Sequence, residues 1–328
     1  MPPLWQNVHS LAAKEKRYII LHSTKCSYEA LQALSFREFK QVGKVVIVTG
    51  GNNGIGFETA KDLAERGARV ILACRDESRG TAARDKIIAA TGNNDVHYRH
   101  LDLASLTSVK KFAEEFIRDE KCLDILINNA GMNGSRNVRT EDGLLLGMQT
   151  NHFAPFLLTC LLVPLLKSSA PSRIINVSSM AHNRATLNLD NLNMEKETEE
   201  TFSKNHVYAL SKLCNILFTV ELSRRLKGSK VTTNSLHPGV VDTDILDEMD
   251  FKYVHLIKRL ARPLLKNRWE GSQTTIYLAV SPEVENVSGK YFRDCKMVDV
   301  STEQARDVEL ARKLWEKSEK LLNFKSNL

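Results

Sequence analysis

The chain has 328 residues, of which 42% are hydrophobic and 26% are charged, and its formal net charge is +7. This composition is typical of a globular protein with enough apolar material for a core. The positive charge is modest and no long lysine or arginine block is present, so the composition argues against a nucleic-acid partner. The six cysteines are scattered without a C-x-x-C pair, which predicts free thiols in a reducing compartment and no metal site.

Two segments bear on targeting and membrane residence. The first 43 residues show no signal-peptide pattern. The longest apolar run, residues 153–166, contains two prolines and is too short for a membrane span, so it indicates a buried helix. We therefore expect a cytoplasmic protein or one bound peripherally at a membrane, and the sequence leaves a mitochondrial location and a homodimer open.

From residue 44 onward, short β-branched runs alternate with longer helical patterns. Strands are predicted over 44–50, 68–74, 95–103, 123–131, 173–179 and 231–239. Helices are predicted over 54–66, over a polar stretch that ends near 91, and over 106–120, 144–167 and 205–227. This alternation predicts a single α/β domain, built as a Rossmann-type doubly wound parallel sheet with helices on both faces.

The glycine-rich segment at residues 49–56, T-G-G-N-N-G-I-G, joins the first predicted strand to the first helix. Gly50 would permit a tight exit from the strand, Gly54 would let the backbone approach a diphosphate, and Gly56 would let the helix pack closely. An anion there would meet free N–H groups at the positive end of a helix. The flanking strand and helix make dinucleotide binding the favoured interpretation.

A second motif, in the segment H-V-Y-A-L-S-K at residues 206–212, places Tyr208 and Lys212 four residues apart on a predicted helix. Residues at this spacing share one face of a helix. A cation beside a phenol would lower the phenol pKa towards the range of an acid/base catalyst. The alternative is a surface tyrosine and a solvated lysine, so this motif needs the context of the rest of the chain.

Taken in order, these motifs resemble the short-chain dehydrogenase/reductase family over about residues 42–300. The remaining motifs of the resemblance are Asn128-Asn129-Ala130-Gly131 after the fourth strand, Asn151 at the start of the long helix, Ser178-Ser179 after the fifth strand, and Pro238-Gly239 with Thr243 after the sixth. Each lies at the carboxyl end of a strand or on a neighbouring helix, where open α/β sheets bind ligands. Within the family the sequence looks most like the retinol dehydrogenase branch, which interconverts lipophilic carbonyls and alcohols, although an apolar N-terminal span found in several members is missing.

The resemblance implies roles for four residues. Tyr208 would be the general acid/base, and Lys212 would lower its pKa and bind the nicotinamide ribose. Ser179 would hold the substrate oxygen, and Asn151 would hold a water that links Lys212 to solvent. A helix N-cap is the alternative role for Asn151, and Ser178 is expected to be structural.

Cofactor choice depends on the end of the second predicted strand. An NAD enzyme usually has an acidic residue there, whereas this chain has Arg75, which favours NADP(H) over NAD(H). Asp102 would lie near the adenine or serve as a turn carboxylate. The expected cofactor-binding residues are Gly50, Asn52, Asn53, Gly54, Ile55, Gly56, Arg75, Asp102, Leu103, Asn129, Ala130, Gly131, Tyr208, Lys212, Pro238, Gly239, Val241 and Thr243.

The chain is divided into an N-terminal extension (1–42), a dinucleotide-binding short-chain dehydrogenase domain (43–300) and a C-terminal helical tail (301–328). By the resemblance, 241–272 is the substrate lid. Its amphipathic stretch 251–268 is alternatively a helix that covers the core, or contacts a membrane surface.

Three further expectations concern the surroundings of the site. The middle of the connection after the fifth strand, N-M-E-K-E-T-E-E-T at residues 193–201, is too polar to bury and is expected on the surface beside the site. His182 and His237 are expected to be structural histidines with satisfied hydrogen bonds.

These observations together predict an NADP-dependent oxidoreductase that interconverts a lipophilic carbonyl and its alcohol. A catalytically idle dinucleotide-binding scaffold is one alternative, although it would not need the complete set Asn151, Ser179, Tyr208 and Lys212. An epimerase or dehydratase acting on nucleotide sugars is another, and the glycine spacing disfavours it.

Overall fold

Strands and helices alternate along most of the chain. The computed structural model describes residues 38–133, 136–241 and 265–328. Its strands are β1 (Val45–Thr49), β2 (Arg69–Cys74), β3 (Val96–His100), β4 (Ile125–Asn128), β5 (Ser172–Val177), β6 (Val231–His237), β7 (Tyr291–Arg293) and β8 (Lys296–Met297). Its main helices are α1 (Gly54–Glu65), α2 (Glu77–Thr91), α3 (Leu106–Asp119), α4 (Ala154–Ser168), α5 (Lys204–Arg225), α6 (Arg268–Val280), α7 (Glu303–Arg306) and α8 (Val308–Leu321).

Within the described residues the strands form an eight-stranded sheet in the order β3-β2-β1-β4-β5-β6-β7-β8. All neighbours pair in parallel except β7 and β8, which are antiparallel. β1 pairs with β2 on one side and with β4 on the other. The order of the strands therefore reverses between β1 and β4, and such a reversal leaves a crevice at the carboxyl ends of these two strands. The predicted fold class, a doubly wound sheet flanked by helices, is confirmed.

The strands end earlier than the sequence predicted. The third, fourth, fifth and sixth strands stop at His100, Asn128, Val177 and His237, two or three residues before their predicted ends. The residues that follow turn out of the sheet into loops at its carboxyl edge. The short strands β7 and β8 were not predicted, because three and two residues carry no recognisable alternation.

The sheet separates two apolar clusters, as the predicted layers require. Val45 and Ile47 point into the cluster beneath α3, α4, α5 and α8, whereas Val46 and Val48 point into the cluster beneath α1, α2 and α6. This alternation follows from the two-residue period of a strand, and burial of both faces explains the continuous apolar run of β1.

The predicted long helix contains a π-helical turn near its start. A turn at Leu146–Met148 leads into a π-helical turn at Gln149–Phe153, which continues as α4. Among the described residues, the segment Leu146–Ser168 passes a test of length and apolar composition for crossing a membrane, but 78% of its most apolar window is buried inside the protein. It packs in the centre of one apolar cluster, as expected of a buried helix.

The C-terminal segment, predicted as a helical tail, packs on the outer face of α5. Trp315 of α8 is 1% exposed and stacks against Phe218 at 5.7 Å and edge-on to Phe156 at 4.7 Å between ring centroids. The guanidinium of Arg225 lies 4.4 Å from the Trp315 ring centroid. The helix therefore belongs to the same core as the sheet.

The acidic connection between β5 and α5 is only partly on the surface. Residues 195–200 are largely exposed, as predicted, but Leu192, Asn193 and Met194 are buried. The side-chain oxygen of Asn193 accepts a hydrogen bond from the backbone of Leu145 (2.8 Å), and Arg139 donates to the Met194 carbonyl (2.9 Å). The expectation that the middle of this connection, residues 193–201, is too polar to bury was therefore wrong for Asn193 and Met194, because partners on another loop satisfy their polar groups.

Candidate active site

The loop after β1 has the geometry of a phosphate-binding turn. Gly50 has a backbone φ of +66°, a conformation that residues with side chains rarely adopt. The side-chain oxygen of Asn53 accepts a hydrogen bond from the backbone N–H of Gly54 (2.8 Å) and caps α1. The loop thus ends at the N-terminus of a twelve-residue helix, whose first N–H groups and dipole favour an anion.

Gly56 is required by the close approach of two loops. A Cβ built there would lie 2.4 Å from the Asn129 side-chain nitrogen and 2.5 Å from the Gly50 carbonyl oxygen. Sequence analysis did not identify Thr49, whose side chain connects the loops after β1 and β4. Its hydroxyl accepts hydrogen bonds from the backbone N–H groups of Asn129 (3.0 Å) and Ala130 (2.9 Å).

Two exposed arginines stand after β2. Arg75 and Arg79 both border the cleft into which the glycine loop opens. The neighbouring acid, Asp76, caps α2 by accepting a hydrogen bond from the backbone N–H of Arg79 (2.9 Å). Arg79 was not predicted from the sequence, although its position four residues after Arg75, on the first turn of α2, was a usable signal.

Asp102 and Leu103 follow β3 at the same edge of the sheet. The Asp102 carboxylate accepts a hydrogen bond from the backbone N–H of Ala104 (2.9 Å), so it acts as a turn carboxylate. Both residues also border the cleft, which is the position predicted for contact with an adenine. The two roles suggested for Asp102 are therefore compatible.

Asn151 lies in the π-helical turn before α4, inside a continuous helical segment, so neither the predicted start of the long helix nor the alternative N-cap role describes it. Its side-chain oxygen accepts from the Met132 N–H (2.8 Å), and its side-chain nitrogen donates to the Met132 carbonyl (2.9 Å). The same nitrogen donates to the Ser211 hydroxyl at 3.1 Å. Asn151 thereby fixes the loop after β4 against α5, and it lies behind the cleft.

Lys212 is buried beneath the site. Its ammonium group donates a hydrogen bond to the Val177 carbonyl (3.0 Å), and a Cβ built at Gly131 would lie 3.2 Å from the same nitrogen. Only 3% of the residue is exposed, and burial lowers the Lys212 pKa to about 8. Ser178 is structural in its contacts, because its hydroxyl donates to the Lys212 carbonyl (2.7 Å).

Tyr208 and Ser179 both border the cleft. Removal from water raises the Tyr208 pKa, and the hydrogen bond with the Ser179 side chain opposes that rise only in part. The Lys212 nitrogen lies 5.5 Å from the Tyr208 ring centroid. The net direction is thus a raised Tyr208 pKa, opposite to the lowering expected from Lys212, and desolvation is its largest cause.

A histidine fixes the Ser179 turn from behind. The Nδ1 of buried His182 lies 2.6 Å from the Ser179 carbonyl oxygen, and the His182 ring meets Tyr291 edge-on at 5.3 Å. His182 Nε2, His237 Nδ1 and the Tyr291 hydroxyl have no hydrogen-bond partner among the described residues. His182 supports the turn at Ser179, whereas His237 borders the cleft, and the expectation that their hydrogen bonds are satisfied was wrong at these atoms.

The predicted site residues come together on one cleft of about 890 Å³ at the carboxyl edge of the sheet. Those that the structure describes border it, apart from Asn151. Thr243 and residues 242–264 of the predicted lid lie outside the described residues. Val241 ends the described part of that loop and pairs with Lys266, while the Lys266 side chain closes over Gly239.

A doubly wound sheet with a glycine loop at its switch point, and a Ser-Tyr-Lys group in the same cleft, defines a dinucleotide-dependent oxidoreductase. The family model described as short chain dehydrogenase matches residues 44–189. Relatives named retinol dehydrogenases are 44% and 47% identical to the chain over 86% of its length, so the chain belongs to the short-chain dehydrogenase/reductase family, in its retinol dehydrogenase branch, and is an oxidoreductase acting on CH–OH groups.

Individual relatives are similar over most of their length. The chain is 47% identical over 285 residues to retinol dehydrogenase 11 of Mus musculus, covering 86% of this chain and 87% of that protein. It is 44% identical over 303 residues to retinol dehydrogenase 14 of Homo sapiens, with 86% and 87% covered. Among solved structures, an uncharacterized protein from Mycobacterium paratuberculosis superposes with a TM-score of 0.72 at 32% identity, covering 89% of this chain and 98% of that one.

Proposed function

We propose that this protein is an NADP(H)-dependent oxidoreductase that interconverts a lipophilic carbonyl compound and its alcohol, with Tyr208 as the general acid/base. The observation that carries the proposal is that Tyr208 and Ser179 border the same cleft as the glycine loop, with the buried Lys212 nitrogen 5.5 Å from the centroid of the Tyr208 ring. The bound dinucleotide supplies the hydride, so the protein has to supply position and a proton.

The residues present fit a dinucleotide. The backbone approaches closely at Gly50 and Gly56, where an added Cβ would meet the loop after β4. The diphosphate would face the N-terminus of α1, and the adenosine part would extend over the ends of β2 and β3 towards Arg75 and Asp102. Lys212, at the inner end of the same cleft, would hold the nicotinamide ribose.

The preference for NADP(H) is supported by the charges after β2. Arg75 and Arg79 offer two guanidinium groups, which suit the 2′-phosphate of NADP(H). An NAD-binding site would present an acid to the ribose 2′-hydroxyl, but the Asp76 carboxylate is engaged as the helix cap of α2. A relative at 25% identity, RhlG of Pseudomonas aeruginosa, was solved in complex with NADP, which agrees with a preference for NADP(H).

The pKa shifts of Tyr208 and Lys212 suit proton donation to a carbonyl, the step that reduction requires, near neutral pH. Because burial raises the Tyr208 pKa, its phenol is protonated at neutral pH and ready to donate to a carbonyl oxygen held by Ser179. Lys212, with a pKa of about 8, is mostly charged at pH 7 and would stabilise negative charge that develops on Tyr208.

The rim of the cleft supports an apolar substrate. Met180 and Val240 are 39% and 46% exposed and border the cleft, as does Leu146. Exposed apolar side chains at the mouth of a cleft are typical of binding sites for apolar molecules. The relatives are named retinol dehydrogenases, and retinol is such a lipophilic alcohol.

The test is a turnover screen with NADPH or NADH against retinal, a steroid ketone, a medium-chain aldehyde and a quinone. We expect NADPH-dependent reduction of at least one lipophilic carbonyl. Tyr208→Phe should lower the turnover number by roughly 10²- to 10⁴-fold while NADPH binding stays nearly intact, because only the proton donor is lost. Substantial turnover in the purified variant would contradict the role given to Tyr208.

A further inference from the structure

The guanidinium group of a residue far along the chain contacts the glycine loop. Arg268 is the first residue of α6, and its Nη1 donates a hydrogen bond of 2.9 Å to the side-chain oxygen of Asn53. That oxygen also accepts the Gly54 N–H at the start of α1. Arg268 is exposed and borders the cleft together with Gly50 and residues 52–56 of the glycine loop. Neither the glycine motif nor the Tyr-Lys motif includes this residue.

The start of α6 is held in place by its own packing. Asn267 caps the helix by a reciprocal pair of hydrogen bonds with Glu270, at 2.8 and 2.9 Å. Three residues along α6, a Cβ at Gly271 would lie 2.5 Å from Val241 and 3.3 Å from Ile55 of α1. The helix therefore lies directly against α1, and the position of Arg268 over the glycine loop follows from the fold.

We propose that Arg268 is a further cofactor-binding residue that contacts the diphosphate of the dinucleotide. The inference rests on the proposed function only in requiring that a dinucleotide binds in this cleft. The N–H groups and the dipole at the start of α1 already favour an anion at this point, and a guanidinium adds a full positive charge and charge-assisted hydrogen bonds. Its anchor on Asn53, the cap of α1, locates it at the diphosphate end of the cleft.

Binding of NADPH and NADH distinguishes this role from recognition of the 2′-phosphate. Arg75 and Arg79 follow β2 and would meet the 2′-phosphate, whereas Arg268 touches the loop that follows β1. A diphosphate is common to NADPH and NADH, but only NADPH carries the 2′-phosphate. Loss of a diphosphate contact should therefore weaken both cofactors by the same factor, and loss of a 2′-phosphate contact should weaken only one.

The experiment measures the dissociation constants of NADPH, NADH and 2′-AMP for the full chain and for Arg268→Gln. We expect the constants for NADPH and NADH to rise by the same factor, roughly tenfold, as for a charged hydrogen bond at an exposed site. The constant for 2′-AMP, which has the 2′-phosphate but no diphosphate, should not change. Arg118→Gln, an exposed arginine at the end of α3, is the matched control and should leave all three constants unchanged.

Arg75→Gln provides the opposite pattern, with weaker binding of NADPH and 2′-AMP and little change for NADH. Unchanged NADPH and NADH binding in Arg268→Gln, with an unaltered melting temperature, would overturn the proposal. A loss confined to NADPH would also overturn it, because it would assign Arg268 to the 2′-phosphate. If the parent protein bound neither dinucleotide, the proposed function itself would fail, and that result differs from every outcome above.

Discussion

The burial of Lys212 predicts that cofactor binding depends on pH in a range where an ordinary lysine would not titrate. Its pKa is lowered from 10.5 to about 8 because the ammonium group has lost its water. The groups that face it are the Val177 carbonyl, the backbone of Gly131 and, on its own helix, the Tyr208 ring. The charged form is the one expected to hold the nicotinamide ribose.

The size of the effect follows from the two pKa values. At pH 9.5, one and a half units above a pKa of about 8, roughly 3% of Lys212 is charged, so the dissociation constant of NADPH should be roughly 30-fold larger than at pH 7. A lysine with the ordinary pKa of 10.5 would still be roughly 90% charged at pH 9.5, and the constant would hardly change. The dissociation constant of NADPH should rise, not fall, as the pH increases, because loss of a proton removes the positive charge of Lys212.

The assay is a fluorescence titration of NADPH from pH 7 to pH 9.5, a range in which the cofactor phosphates are already ionised. Lys212→Met should bind NADPH weakly at every pH and lose the dependence, whereas Lys111→Met, a substitution of a 73% exposed lysine side chain on α3, should behave as the parent. A dissociation constant that stays flat up to pH 9.5 in the parent protein would refute either the lowered pKa or the role of the charge.

Two further predictions concern cofactor choice and stability. Arg75→Asp should reduce or reverse the preference for NADPH over NADH in the same titration, and Arg79→Asp should do so too; equal affinities in the parent would contradict the assignment. His152 is 1% exposed, its Nε2 lies 3.1 Å from the Ser318 hydroxyl, and burial lowers its pKa to about 4. Above pH 6.5 the imidazole is neutral in both the folded and the unfolded chain. Between pH 6.5 and pH 4 only the unfolded chain takes up the proton, so proton binding favours unfolding. About 3 kcal/mol of the free energy of unfolding should therefore be lost over that interval. Denaturant unfolding should show this loss, and His152→Gln should have a shallower pH dependence; parallel curves would contradict the assignment.

Local patterns in the sequence determined the alternation of strands and helices, the glycine loop and the spacing of Tyr208 and Lys212. These features need only residues that are neighbours in the chain. A buried parallel strand must be apolar on both faces, a tight turn needs glycine, and two residues four apart share a helical face. The resemblance to short-chain dehydrogenases rests on such local motifs, and the comparisons confirm it.

Tertiary structure decided the properties that depend on distant neighbours. The pKa of Tyr208 is raised because the folded chain removes water around it, although the adjacent Lys212 alone predicted the opposite shift. Asn193 is buried because Leu145, 48 positions away, supplies its hydrogen bond. Arg268 reaches Asn53 across 215 positions because α6 packs on α1. Desolvation and long-range contacts exist only once the elements have packed, so no local pattern encodes them.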